Sequence, residues 1–137
     1  MKISGATVLL ISGWIIFNGN MVQQYEAWNA PAFADTIKNP FAYNDKIMLE
    51  GKKIYESMCW TCHGLDGKGD GPASKELNPK PADHTSGKIQ MQSDGVIFWK
   101  ISKGRGPMIP YETSLSKSQR WKLVCYIRTL GKQYGAK

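Results

Sequence analysis

The stretch Met58-Cys59-Trp60-Thr61-Cys62-His63-Gly64 decides how the chain is read. Two thiols three positions apart on a helical turn can each add to one vinyl group of a porphyrin, and the histidine that follows then falls beneath the iron. A bare Cys-x-x-Cys would be ambiguous, because zinc sites and thiol–disulfide pairs share it. His63 narrows the choice to one covalently attached haem c with its iron. The rival readings each lack something. Zinc needs two further ligands, and the candidates, His84 and Cys125, stand isolated. A thioredoxin-like pair needs a βαβ setting, and no alternating strand pattern of any length occurs. A structural Cys59–Cys62 disulfide is the third alternative. Three cysteines, an odd count, argue against a disulfide framework.

Working outward, apolar positions on both sides repeat at three and four residues. Asn44 or Asp45 can cap a helix running through Met48, Gly51, Ile54, Tyr55 and Met58 and ending at the cysteine motif. Ser93 or Asp94 can start a shorter helix through Val96, Ile97 and Ile101 that stops at Gly104. Ser116 with Gln119 forms a capping box for a last helix through Trp121, Val124, Tyr126, Ile127 and Leu130, with Gly131 as the expected stop. Between the first two helices, residues 64–87 are dominated by glycine and proline, and a loop that long is usually functional or bound to something. The expected class is all-α with long loops, which leaves a large apolar group to be packed around.

Haem iron opposite a histidine is commonly met by a methionine thioether, which raises its potential. Met1 and Met21 lie outside the expected domain, and Met48 and Met58 precede the attachment site on the first helix, which leaves Met91 and Met108. Met108 lies in Gly104-Arg105-Gly106-Pro107-Met108-Ile109-Pro110-Tyr111, where glycines and prolines fix a loop shape suited to pressing a side chain onto a metal. The general alternative for any methionine is core filler. His63 also needs an acceptor for its second ring nitrogen, and the carbonyl of Pro72 is the candidate.

The N-terminus carries Lys2 and then an uncharged apolar run, Ile3 to Phe17. That run is shorter than the roughly 20 residues of a full bilayer span and suits a signal-peptide core. The best small-residue cleavage site, Ala32-Phe33-Ala34, lies far beyond it, however. The expectation is therefore an inner-membrane anchor over residues 1–22 with the haem domain in the periplasm. A soluble periplasmic protein after cleavage is the alternative. Trp14, Tyr25 and Trp28 could sit at the interface. Residues 23–43 read as a mostly irregular connector and 44–137 as the folded domain. The chain carries 18 Lys+Arg against 11 Asp+Glu, a net charge of +7. That basicity favours an acidic docking surface on a partner, or an anionic membrane face. Nucleic acid is not expected, since no dense basic run or nucleic-acid-binding spacing occurs.

Taken together, these residues resemble class I c-type cytochromes with one haem. The motifs are Gly51-Lys-Lys-Ile-Tyr55, Cys-His-Gly with Gly67-Lys-Gly-Asp-Gly-Pro72, Asp94-Gly95-Val-Ile-Phe98, Gly104 to Tyr111, and Arg120-Trp121 to Leu130. The resemblance covers about residues 45–130. It implies the class I cytochrome c fold, with His63 and Met108 as axial pair, the Pro72 carbonyl holding His63, and Gly51 allowing the first helix to cross the last near Tyr126. It also implies that Trp99, Tyr111, Pro79, Pro81 and Trp121 line or abut the haem. More narrowly, Asn39-Pro40, Pro79-Lys-Pro81 and Met-x-Pro-Tyr are similar to the monohaem cytochrome subunits of bacterial respiratory complexes such as alternative complex III. Two departures stand out: Ile109 separates Met108 from Pro110, and Cys125 has no family role.

The resulting expectation is an electron carrier rather than an enzyme. It would pass single electrons between membrane-bound respiratory complexes, a quinol-oxidising complex or a terminal oxidase, with Lys100, Lys103, Arg105 and Lys68 steering an acidic partner. A haem enzyme or small-ligand sensor with an open sixth site is the alternative.

Overall fold

The computed structural model describes residues 27–135. The expected anchor at residues 1–22 lies outside them. Among the described residues there are five α-helices: α1 (Asp45–Met58), α2 (Trp60–His63), α3 (Gly87–Gln90), α4 (Asp94–Lys103) and α5 (Lys117–Gly135). Short 3-10 turns occupy Ala32–Thr36 and Ser74–Glu76. No strand occurs among the described residues, and no helix there is long and apolar enough to cross a membrane.

The helix starts follow local chemistry. The Asn44 side chain accepts from the backbone N–H of Ile47, and Ser93 accepts from that of Val96. At α5, Ser116 Oγ accepts from the N–H of Gln119, and Gln119 Oε1 accepts from the N–H of Ser116, a complete capping box. The end of α5 differs from expectation. Gly131 does not stop the helix, which continues to Gly135. A Cβ at Gly131 would stand 2.4 Å from the Gln90 side chain, so the glycine makes room for α3 instead of ending a helix.

The frame is the crossing of α1 over α5. A Cβ on Gly51 would lie 2.1 Å from the Lys122 carbonyl oxygen and 2.9 Å from Tyr126 Cβ, so only glycine lets the two backbones approach this closely. Beneath the crossing, Tyr55 meets Tyr126 edge to face at 5.2 Å. Phe98 of α4 stacks on Trp121 of α5 at 3.9 Å. Ile97, Ile101, Leu115, Leu123, Val124, Ile127 and Leu130 complete one core, which Cys59 joins from the end of α1.

Residues 27–43 contain one 3-10 turn and are otherwise irregular, but they are packed against the domain. A Cβ on Gly95 would lie 2.0 Å from the Ala34 carbonyl oxygen, so this strap lies directly on α4. Asp94 fastens it further, accepting from Asn39 Nδ2 at 3.2 Å, from the Tyr43 hydroxyl at 2.7 Å and from Arg128 Nε at 2.8 Å. Burial alone would raise the Asp94 pKa, but those hydrogen bonds outweigh it and hold the carboxyl below its usual value. Cys125 is buried on α5 as a free thiol, 3.2 Å from the Asn39 amide. Its place is packing under the strap. Trp28 lies 5.5 Å from the Lys100 ammonium and 5.1 Å from the Arg105 guanidinium.

Candidate functional site

The motif forms where α1 ends. The Cys59 N–H still bonds the Tyr55 carbonyl at 2.8 Å, and the chain then turns into α2, where Cys62 and His63 N–H groups both bond the Cys59 carbonyl. Both thiols are free. Cys59 is buried, and burial followed by the nearby Cys62 pushes its thiol up to about 12. A redox-active thiol needs a depressed pKa, and Cys59 is shifted the other way. A zinc site fares no better, since among the described residues no three His, Cys, Asp or Glu side chains gather to hold a metal ion.

His63 is 9% exposed. Its Nδ1 lies 2.9 Å from the Ala82 carbonyl oxygen. This corrects the expectation of Pro72: that residue is exposed, and the loop brings Ala82 to the imidazole ten residues later. A carbonyl can only accept, so Nδ1 carries the proton and Nε2 keeps its lone pair. Burial lowers the His63 pKa further than the Ala82 hydrogen bond raises it, which keeps the ring neutral. A neutral imidazole with a free Nε2 is what a haem iron requires.

The loop that carries Ala82 is tied to the motif's own backbone. Gly69 N–H bonds the His63 carbonyl at 2.8 Å, Gly71 N–H that of Cys62 at 3.1 Å, and Ala73 N–H that of Thr61 at 2.9 Å. Gly64, Gly67 and Gly69 have φ of 77°, 77° and 75°, the left-handed region that favours glycine, which explains the Gly-rich run.

Arg105 and Met108 exchange two backbone hydrogen bonds, both 2.9 Å, closing a tight turn over Gly106-Pro107. Met108 is half-buried against the core, whereas Met91 is 84% exposed. Tyr111 connects this loop to the motif, its hydroxyl donating to the Met58 carbonyl at 3.0 Å. Burial, and then Cys59 and Cys62, push the Tyr111 phenol up to about 12. Trp99 is half-buried on α4. Exposed apolar side chains flank the site in sequence: Met58, Trp60 and Ile109. A cavity of about 330 Å³ lies instead between the strap and α4, lined by Lys38, Asn39, Tyr43 and Asp94, and contains no member of the motif.

Paired free thiols, a neutral imidazole offering Nε2, and a thioether on a closed turn fit a covalently bound haem. The match to known proteins agrees: the cytochrome c family model covers residues 48–131. The chain belongs to the cytochrome c family. Its cofactor is haem c with iron. No curated protein matches the chain. Among solved structures, this cytochrome c domain is similar to a chain of the Kuenenia stuttgartiensis reducing HAO-like protein complex Kustc0457/Kustc0458. There the identity is 35% and the TM-score 0.60, over 66% of this chain and 46% of that one. The chain therefore spans less than half the length of that relative. It is also similar to the KustC0563 c-type cytochrome, at 28% identity and TM-score 0.52, over 58% of this chain and 95% of that one.

Two features of the cytochrome c site were missed from the sequence. Ala82 offers only a backbone carbonyl, which no side chain signals. His84 was weighed only as a stray zinc ligand, yet its ring stacks on His63 with centroids 4.1 Å apart and 18° between planes. The cations expected to steer a partner also have partners of their own. Lys103 pairs with Glu112 at 2.9 Å, and Lys100 donates to Gln92 at 2.8 Å.

Proposed function

We propose that the protein is a monohaem electron carrier with His63 and Met108 as axial ligands, working on the periplasmic side at a membrane respiratory complex and tethered by its N-terminus. When bound, the haem supplies a one-electron ferric/ferrous couple. The chain's own residues define how that couple is used. His63 presents a lone pair in a direction fixed by Ala82. Met108, on a turn closed by two backbone bonds, presents a soft thioether that favours the ferrous state. Tyr111 ties that turn to the end of α1. With His63 and Met108 both holding the haem iron, no position would be left for a substrate, and the protein would exchange electrons without bond chemistry.

The observation that carries this reading is the contrast between the two candidate thioethers. Met108 packs on the core and Met91 faces solvent. Exposed Trp60 and Met58 beside the thiols supply an apolar contact area for a redox partner. The net charge of +7 favours an acidic partner surface. The likeness to a chain of an HAO-like protein complex supports work within, or docked to, a larger redox assembly. An anchored N-terminus is supported by the apolar run Ile3–Phe17. Intact mass of the native protein tests it, with retention of residues 1–22 expected and a shortened chain contradicting it.

A redox titration of the purified haem-loaded protein tests the carrier reading. A reversible one-electron transition is expected, with no change in ligation between oxidation states. A haem that cannot be cycled, or that changes ligand on reduction, would contradict it.

A further inference from the structure

We infer that His84 is a positioning residue for the axial imidazole: its ring plane sets the plane of His63 about the iron–nitrogen axis. The inference rests on His63 as an iron ligand and goes beyond it. A single hydrogen bond from His63 Nδ1 to Ala82 leaves this rotation loosely set, because the angular well of a hydrogen bond at a carbonyl is broad. A flat partner lying 4.1 Å away and 18° from parallel restricts it further, since rotation would drive one ring edge into the other.

His84 is itself tied through its backbone N–H, its carbonyl and its ring. Its N–H bonds the Gly67 carbonyl at 2.6 Å, and its carbonyl accepts from Gln90 Nε2 at 2.6 Å. Gln90 in turn donates to the Ile127 carbonyl of α5 at 3.0 Å. The ring Nδ1 stands 3.4 Å from the Tyr55 hydroxyl. That hydroxyl has one proton and donates it to the Gly64 carbonyl at 3.0 Å, so the contact with His84 requires Nδ1–H to donate. Tyr55 is fully buried at the α1–α5 crossing. The orientation of His84 is thus referred to the rigid helical frame, and through the stack it passes to His63. A solvent-facing histidine with no such ties would have no means of doing this.

The orientation of an axial imidazole decides how its π orbital splits the iron d levels. It therefore fixes the pattern of paramagnetically shifted haem-methyl resonances and the g anisotropy of the ferric protein. The test compares haem-loaded wild type with His84→Phe, which keeps a flat ring, and His84→Leu, of similar bulk with no ring plane. The expected result is a wild-type methyl pattern in the Phe variant and a redistributed pattern with shifted g values in the Leu variant. A Leu variant that matches wild type, or a Phe variant displaced as far as Leu, overturns the inference. Should the Leu variant fail to fold, the ferrous wild-type protein still decides. Cross-relaxation between the ring protons of His63 and His84 is expected, and its absence overturns the stack. A wild-type ferric haem without the paramagnetically shifted ring resonances of a bound imidazole would mark failure of His63 ligation, a separate outcome from either.

Discussion

The loop that holds His63 and the loop that carries Met108 are built differently. Residues 64–86, between α2 and α3, are fastened to the motif itself, by three backbone bonds to Thr61, Cys62 and His63 and by the Ala82 carbonyl on the imidazole. Residues 104–116, between α4 and α5, are fastened mainly to themselves and to α4. Arg105 and Met108 close their own turn, Tyr111 and Glu112 N–H groups bond the Ile101 and Ser102 carbonyls at 3.1 and 3.2 Å, and the Tyr111 hydroxyl bonds the end of α1. The His63 side is therefore tied to the motif's own backbone, whereas Met108 sits on a turn that closes on itself and meets the core through side-chain packing. Such a segment opens at lower free energy than the body it is attached to, and the thioether is the ligand expected to yield first on heating or denaturant.

Substitutions can break or sharpen that contrast. The largest effect belongs to the motif: the double change Cys59→Ala, Cys62→Ala should abolish covalent attachment, read as loss of haem staining in a denaturing gel. Retained staining would refute the assignment. Next comes the tightly fastened loop. A Cβ at Gly71 would lie 2.4 Å from the carbonyl oxygens of both Trp60 and Thr61. Backbone cannot yield there as a side chain can, so Gly71→Ala should destabilise the protein by about 1–3 kcal/mol in thermal unfolding.

The strap gives an intermediate case. Asp94→Asn removes the charge that meets Arg128, at a cost of about 1–3 kcal/mol. The sign with pH follows from the direction of the shift. The folded pKa is depressed, so the contribution is present above the ordinary carboxylate value, near 4, and is lost as pH falls through the lower folded value. In Asp94→Asn that part of the acid destabilisation should be missing.

Smaller effects are expected in the methionine loop. Tyr111→Phe removes one hydrogen bond to α1 and should cost about 0.5–1.5 kcal/mol. It should also make Met108 easier to displace by imidazole. Gly106→Ala meets nothing within 4 Å and should change stability by no more than about 0.5 kcal/mol. Equal destabilisation by Gly71→Ala and Gly106→Ala would remove the contrast between the loops.

What the sequence made legible follows the same division. Helix starts were readable because caps act over three residues, as at Asn44, Ser93 and Ser116. The cysteine motif was readable because five consecutive residues carry its chemistry. Features decided by distant parts of the chain were not. Gly131 reads as a helix stop until Gln90 is seen lying against it. Pro72 and Ala82 offer the same carbonyl, and only the return path of the loop selects between them. Lys103 reads as a free cation until Glu112 folds back beside it. His84 carried a faint signal, as one of only two histidines, in a loop already suspected of function.

The most direct test of the central claim is the visible spectrum of the ferrous, haem-loaded protein before and after exposure to carbon monoxide. With His63 and Met108 both bound, the low-spin spectrum should remain unaltered in the wild type, and a carbon monoxide complex should form readily in Met108→Ala. Rapid binding to the wild type would show an open sixth position and contradict the electron-carrier account.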